Sequence, residues 1–499
     1  MKTFMTLAVL LLSSAAFAGS APLPDNRKAA IYWGWDTLRA TTEDIYRHRH
    51  LFAETGFTGI GMPITGCRNG KAFRGKIPID GDGLGRWDYA DFAKALPLLR
   101  EMLRTDGLRD SYALVYFMSF ARRLPWDDDA GWAVLCHNFA MLGRVAKDSG
   151  MKGIFVDHED YTRKPLFIWR EGDPDYDTTC RLARRRGREL IAALATTFPE
   201  ARLVWDLVMG QHNDALWSQV PREGARARRD LWYPFVNGML EAMPPEMRLK
   251  DGAESTYGAK DDNGYRARGF LERKTALALI EPALRDRFHE QVSPCYAKYL
   301  DPHVREPVDP AAFARTFLAA GRQTDEMYWT YGEKHAIVRW DRPPDPSVTN
   351  TTWREIIPDM ARILRVSEGD YSEVRALAAR GDLKTVIKVS DPVCIRGEKD
   401  WFTRKDGKVR PGDRVYVRFR AKGREPQAEI VWLRKGNWDW SAENQTLVRP
   451  CEVRPDGWKV FEVCRVVPDG IDGIGFVLGA RDVSPEDPCR FDDIGVYFW

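Results

Sequence analysis

Between residue 28 and about residue 345 the chain repeats one unit: a short apolar run, a polar or glycine turn, then a longer helical stretch. Eight such runs can be read. They are Ala29–Trp35, Phe57–Ile64, Tyr112–Phe120, Gly153–Asp157, Arg202–Met209, Met247–Ala253, Gln291–Tyr296 and Glu326–Tyr331. The first five are strongly apolar, while the sixth and seventh carry more polar residues. Helical stretches lie between them, among them Tyr89–Leu103, Trp132–Lys147, Thr178–Thr197 and Pro310–Ala320. Near-continuous apolar strands alternating with helices predict a parallel sheet covered by helices. Eight units in about 320 residues predict an α/β fold of the (β/α)8, or TIM-barrel, type. A doubly wound open sheet is the alternative, but no G-x-G-x-x-G follows the first strand.

The texture changes after "WREIIPDMARIL", which reads as the last barrel helix. From Thr385 short runs alternate with period two, with turns every 8–15 residues or so, as in an antiparallel β-sandwich. The expected division is a signal peptide over 1–18, a barrel over 24–345, a last helix and linker over 346–384, and a sandwich over 385–499. The first eighteen residues carry Lys2, an apolar run Leu7–Leu12 and the A-x-A site Ala16-Phe17-Ala18. They predict export, to the periplasm or outside the cell, with cleavage near Ala18. No later run approaches ~18 apolar residues, so no membrane partner is expected. Seventy-five basic residues against 72 acidic ones leave a net charge of +3, which gives no electrostatic case for nucleic acid. Eight cysteines contain no C-x-x-C pair, so no structural zinc is signalled. Export permits disulfides, and the last four cysteines could form up to two. Oligomeric state is not written in the sequence.

In a barrel the C-terminal ends of the strands share one face, which is where catalytic groups sit. Strand one delivers Trp33, Trp35 and Asp36 there, and strand four delivers Asp157, His158 and Glu159. Strand five gives Asp206 and then Gln211, His212 and Asn213. Strand six gives Asp251, Glu254 and Tyr257, strand seven Tyr296 and Lys298, and strand eight Trp329, Tyr331 and Glu333 beside Lys334. Carboxylates among indoles suit glycoside hydrolysis, in which one acid protonates the leaving oxygen and a second group meets an oxocarbenium-like centre. Eighteen tryptophans fit stacking on sugar rings as well as aromatic cores. Asp157 and Glu159 lie two apart on a strand and point the same way. Their repulsion raises the pKa of one, which suits a general acid. The expected catalytic set is Glu159 as acid/base with Asp157 or Glu254 as partner. Trp33, Trp35, Asp36, His158, Asp206, Tyr257, Trp329, Tyr331 and Glu333 are expected to line a carbohydrate subsite. His158 reads as a hydrogen-bonded pocket wall rather than a metal ligand. No organic cofactor or catalytic metal is expected.

Asp157-x-Glu159 resembles the strand-four ending of family 18 chitinases, which implies Glu159 as the acid, Asp157 as the orienting group and Tyr161 close behind. His158-Glu159 also resembles the Asn-Glu ending of strand four in the clan of cellulases and β-galactosidases, with His in place of Asn. There Trp329 would match the strand-eight indole under the sugar. Asp157 as nucleophile with Glu254 as acid resembles the α-galactosidase type of barrel. The C-terminal "CRFDDIGVYFW" resembles the last strand of jelly-roll carbohydrate-binding modules, through Asp492 and Asp493. That resemblance implies glycan binding and leaves room for a structural calcium ion. Trp438 and Trp440 are then candidates for a stacking platform. The rival readings are a glycan-binding barrel without catalysis, and a metal-dependent hydrolase or lyase.

Overall fold

The computed structural model describes residues 27–75, 85–117, 123–160, 165–209, 221–301, 309–397, 399–439, 445–447 and 450–499. Eight strands carry the first part of the chain. They are β1 (Ala29–Gly34), β2 (Gly59–Met62), β3 (Tyr112–Tyr116), β4 (Gly153–Asp157), β5 (Arg202–Trp205), β6 (Arg248–Asp251), β7 in two pieces (Val292–Pro294 and Ala297–Tyr299) and β8 (Met327–Gly332). Each pairs in parallel with the next, and β8 pairs in parallel with β1, so the sheet closes on itself. The first piece of β7 pairs with β6 and the second with β8. Pro294 has no N–H to carry the ladder on, and two backbone bonds span the gap. Cys295 N donates to Asp251 O (2.7 Å) and Trp329 N to Tyr296 O (2.9 Å). The architecture is a (β/α)8 barrel followed by a β-sandwich.

Period-two alternation sorts the strand residues. Ile31, Trp33, Leu114, Phe155, Val204, Ala297 and Trp329 fill the barrel interior. Ala30, Tyr32, Ile60, Val115, Ile154, Val156, Leu203 and Leu249 face outward under the helices. The polar look of strand six has a physical cause. Lys250 points inward and is buried against Glu326 (2.8 Å) and Ser293 Oγ (2.8 Å), with Arg202 on the other side of Glu326 (3.1 Å). An ion network therefore closes the N-terminal end of the barrel.

The outer helices begin on side-chain caps: Asp128 for Asp129–Ser149, Asp175 for Tyr176–Ala195, Asp261 for Asp262–Leu279 and Asp309 for Pro310–Gln323. Two expected helices are divided. Tyr89–Leu103 is a 3₁₀ turn, Tyr89–Phe92, followed by Ala95–Met102. The stretch from Trp353 is Trp353–Ile356 and then Met360–Ser367, with Pro358 between them.

The sandwich has two antiparallel sheets. One runs in the order 385–389, 489–498, 414–422, 459–466, 450–453, with 393–395 also on 489–498. The other runs 402–408, 473–480, 426–434, 437–439, with 445–447 also on 426–434. The first sheet faces the barrel: Tyr416, Cys464 and Val466 belong to the barrel's own core cluster. Asp492 meets Arg420 (2.6 Å) and Asp493 meets Arg418 (3.0 Å). All eight cysteines lie in described residues and none is paired, so the bridges that export would permit are not formed. Among the described residues no helix is long and apolar enough to cross a membrane.

Candidate active site

Asp157 ends β4 two residues after Phe155, so it takes the interior direction and rises at the C-terminal mouth of the barrel. Its Oδ1 accepts the Glu159 N–H (3.0 Å), which turns Glu159 back toward it. His158 takes the outward direction instead. Its ring stacks on Trp232 (centroids 4.3 Å apart, 19° between planes) and its Nδ1 meets Asp206 Oδ1. Asp206 follows β5 and also accepts the Leu207 N–H (2.9 Å). One oxygen each from Asp157, Glu159 and Asp206 lies within 4.8 Å of the others. That spacing could hold a divalent cation, and it is also the spacing of crowded acids.

Glu254 arrives from β6 by a tight route. A β-carbon on Gly252 would lie 2.6 Å from Asp206 Cα, so only glycine permits the two strand ends to approach this closely. Ala253 then takes the left-handed conformation (φ 44°), rare for a residue with a side chain. Asp251 holds it there. Its carboxylate accepts the N–H groups of Val208 (2.9 Å), Met209 (3.0 Å) and Ala253 (3.2 Å). Glu254 opens the 3₁₀ turn Glu254–Gly258, and its N–H donates to Asp206 O (3.1 Å).

Four carboxyl groups thus gather at one mouth. Among the described residues no lysine or arginine pairs with Asp157, Asp206 or Glu254. The electrostatic result follows. Burial pushes Asp157 well above the carboxylate range, helped by Asp206 and Glu159. Burial likewise pushes Glu254 up to about 9, with Asp206 and Glu159 adding to it, and Glu159 is hydrogen-bonded to it. The Tyr257 hydroxyl beside Glu254 pulls in the other direction. Asp157 and Asp206 are buried, whereas Glu159 and Glu254 keep part of their surface.

An aromatic wall stands beside the acids. Tyr257 packs on Tyr299 (5.6 Å) and on Trp329 (5.7 Å), and Tyr299 stacks on Tyr331 (5.7 Å). Both tyrosine hydroxyls of the stacked pair, Tyr299 and Tyr331, donate to Glu333 at 3.1 Å, so Glu333 is more than a partner for Lys334, which lies 4.0 Å away. Tyr299 and Trp232 escaped the sequence reading. The seventh apolar run ends at Tyr296 in the sequence pattern, and only the second piece of β7 carries Tyr299 to the rim.

Four expected subsite residues are corrected. Asp36 is 0% exposed and its carboxylate is taken by Tyr32 Oη (2.9 Å), Thr37 N (2.9 Å), Ile337 N (2.7 Å) and Trp340 Nε1 (3.2 Å). It ties the start of the barrel to its end. Trp33 and Trp329 stack on each other (5.8 Å) inside the barrel, 5% and 0% exposed, and Trp329 Nε1 donates to Gly252 O (2.6 Å). They are core beneath the mouth, not a platform. His158 is buried too and orients Asp206. Trp35 remains partly exposed under Arg39 (5.3 Å). Tyr161, Gln211, His212, Asn213 and Trp440 lie outside the described residues.

A second concavity lies on the outer sheet of the sandwich, about 630 Å³, lined by Trp401, Thr403, Glu429, Asn437, Trp438 and Val477. Its floor is shallow for a legible reason. Ile474, Phe476 and Leu478 point into the core, so strand 473–480 shows Gly473, Gly475, Val477 and Gly479 outward. A β-carbon on Gly479 would lie 2.5 Å from the Trp401 ring, which therefore rests on bare backbone while 54% exposed.

No family model matches the sequence, and no curated protein matches it either. Among solved structures the chain is similar to a family 39 glycoside hydrolase from the gut symbiont Bacteroides cellulosilyticus WH2 at 8% identity, over 93% of this chain and 83% of that one, with a TM-score of 0.42. It is similar to an endocellulase from Pyrococcus horikoshii at 10% identity, over 68% of this chain and 92% of that one, with a TM-score of 0.33. It is also similar to the enzymatically active domain of tailspike protein 4 from bacteriophage CBA120 at 13% identity, with a TM-score of 0.17; the match covers 23% of this chain and only 19% of the tailspike's length. At such scores these likenesses concern the path of the chain and carry nothing about its chemistry.

Proposed function

We propose that the barrel hydrolyses glycosidic bonds, with Glu254 carrying the proton and Glu159 as its ionised partner. The observation that carries this reading is Glu254, held up to about 9 beside Glu159 at the barrel mouth. An acid in that state is protonated at neutral pH and still partly open to solvent. The sequence alone favours Glu159 as the acid; the upward shift of Glu254 argues for exchanging the two roles. The Glu254 proton goes to the leaving oxygen as the C–O bond breaks. Glu159 then meets the electron-poor anomeric carbon or takes a proton from the water that attacks it. Burial, with the charges of Asp206 and Glu159 adding to it, keeps the proton on Glu254. The wall formed by Tyr257, Tyr299 and Tyr331 suits the apolar face of a sugar. Residues 1–18 export the chain, which places its substrate outside the cytoplasm. The sandwich groove, with two indoles, a carboxylate and an amide, holds the same kind of glycan.

The test is a leaving-group series. Glu254→Gln loses about 10²- to 10⁴-fold on substrates with poor leaving groups and much less on activated aryl glycosides. Glu159→Gln loses on both. Trp401→Ala lowers retention on insoluble polysaccharide and leaves turnover of short soluble substrates as it was. A parent protein that binds glycans and cleaves none of a polysaccharide panel would be a binder instead. A second reading rests on the 4.8 Å grouping of Asp157, Glu159 and Asp206 as cation ligands. Activity abolished by a chelator and restored by a divalent cation favours it; activity indifferent to chelators removes it.

A further inference from the structure

Lys298 is a buried lysine without a carboxylate. It sits on the second piece of β7, 5% exposed, and among the described residues no acidic group pairs with it. Burial, with Lys260 nearby, lowers its pKa to about 8. A buried ammonium lacking a counter-ion destabilises a fold unless it satisfies other polar groups. Lys298 does that in one place. Its Nζ donates to Tyr257 O (3.1 Å) and to Ala259 O (3.1 Å). Those carbonyls belong to the last part of the turn Glu254–Gly258 and to the residue just beyond it, where carbonyl groups otherwise lack partners.

The same turn is fastened twice more. Thr256 Oγ1 donates to Ala297 O (3.0 Å) and accepts the Ala297 N–H (2.9 Å). Ser255 Oγ donates to Glu272 on the helix behind it (2.8 Å). The contact with Ala297 is to the residue next to Lys298, on the piece of β7 that begins after the break. The break in β7 therefore does more than interrupt a ladder: it frees a short strand whose role is to grip the turn that carries Glu254 and Tyr257.

We propose that Lys298 is a positioning residue, which fixes the end of this turn and so holds the Glu254 carboxyl in its place against Glu159. It touches no reacting atom and acts through the backbone. The inference deepens the hydrolase reading and rests on it for its kinetic arm only.

The test compares the full-length mature protein with Lys298→Met and Lys298→Arg. With the turn released, Glu254 moves toward water, and a displacement of about 1 Å suffices to cost about 10²-fold in turnover. Lys298→Met is expected to lower kcat about 10- to 100-fold with KM changed less than about 3-fold, and to shift the alkaline limb of the pH profile down by about one unit or more. Lys298→Arg, which keeps donors for both carbonyls, restores most of kcat and the limb. A second readout needs no turnover: protein labelled with ¹³C-carboxyl glutamate, in which the Glu254 signal is the one missing from Glu254→Gln. That signal titrates nearer the ordinary glutamate range in Lys298→Met than in the parent. Unchanged kcat, or a Glu254 titration identical in parent and Lys298→Met, overturns the proposal. If the parent cleaves no glycan, the hydrolase reading fails and the carboxyl titration alone decides the positioning role. Should Lys298→Met not fold, Lys298→Gln, which keeps a single donor, is read by the same two measurements.

Discussion

Glu254 destabilises the protein that it serves. Its carboxyl is raised to about 9 in the folded chain and titrates near 4.5 when unfolded. The sign follows from linkage. Below the unfolded value both states hold the proton and nothing is lost. Above it the unfolded chain ionises while the folded one keeps its proton, so stability falls with rising pH until the folded group also ionises. At pH 7 this amounts to about 3 kcal/mol in favour of unfolding. Glu254→Gln removes the burden, so its melting temperature should exceed the parent's at pH 8 and match it at pH 4 in thermal melts. A variant less stable than the parent at pH 8 would mean that the carboxyl is not held protonated. Residue by residue, the legible part of the site was the part written locally. Phe155, Asp157 and Glu159 share one direction by strand parity alone. Asp36 misled because its partners Ile337 and Trp340 lie about 300 residues away along the chain. Trp33 and Trp329 have interior parity, but sequence spacing does not say how deep along the barrel axis a residue lies. The approach of Glu254 to Asp206 depends on the missing side chain of Gly252, a cause that spacing does not reveal.

The weakest strands in the sequence, six and seven, hold the elements that most shape the barrel's two ends. Strand β6 reads as polar because its central residue is a lysine facing inward. Lys250 and Arg202 hold Glu326 down to about 2, whereas burial alone would raise it. The sign here is opposite to that of Glu254. A depressed carboxylate lends stability above the unfolded value near 4.5, and that stability is lost as pH falls from there through about 2. Glu326→Gln leaves Lys250 buried without its charge partner and should cost about 3–5 kcal/mol, read as a fall in the denaturant midpoint at pH 7. Glu326→Leu combined with Lys250→Met should recover most of that loss, because a buried pair replaced by apolar groups is often close to neutral. A single variant as stable as the parent would show that the network is incidental. The seventh run reads from sequence as Gln291–Tyr296, straight through Pro294, whereas the ladder breaks at Pro294 and resumes at Ala297, beyond the end of that run. Sequence pattern shows where a strand can form. It does not show that a broken strand is joined by bonds from its neighbours.

The alternation after Thr385 made the sandwich legible as an element pattern, and its docking on the barrel was not legible at all. The first sandwich sheet does not merely rest against the barrel. Tyr416, Cys464 and Val466 complete the barrel's core, and helix Pro310–Gln323 offers Arg322 to Cys464 O (3.2 Å). Glu462 is fully withdrawn from solvent between the two bodies. It takes Arg375 Nε (2.8 Å) from helix Ser372–Arg380 together with the Tyr416 hydroxyl, and Arg414 reaches Asp359 (2.9 Å) alongside. An apolar, shared core predicts that barrel and sandwich unfold as one unit, since neither can open without exposing the other's surface. Hydrogen exchange across a denaturant series should therefore release strand 153–157 and strand 459–466 at the same denaturant concentration. Glu462→Ala removes the acid that joins Arg375 to Tyr416 and leaves a void at the seam. Strand 459–466 should then exchange at lower denaturant than strand 153–157, as a separate cooperative unit. If the two strands already part company in the parent, the sandwich is a tethered neighbour, and its groove is carried by a flexible linkage. If they move together until Glu462 is lost, the groove under Trp401 is held at a fixed distance from the barrel mouth.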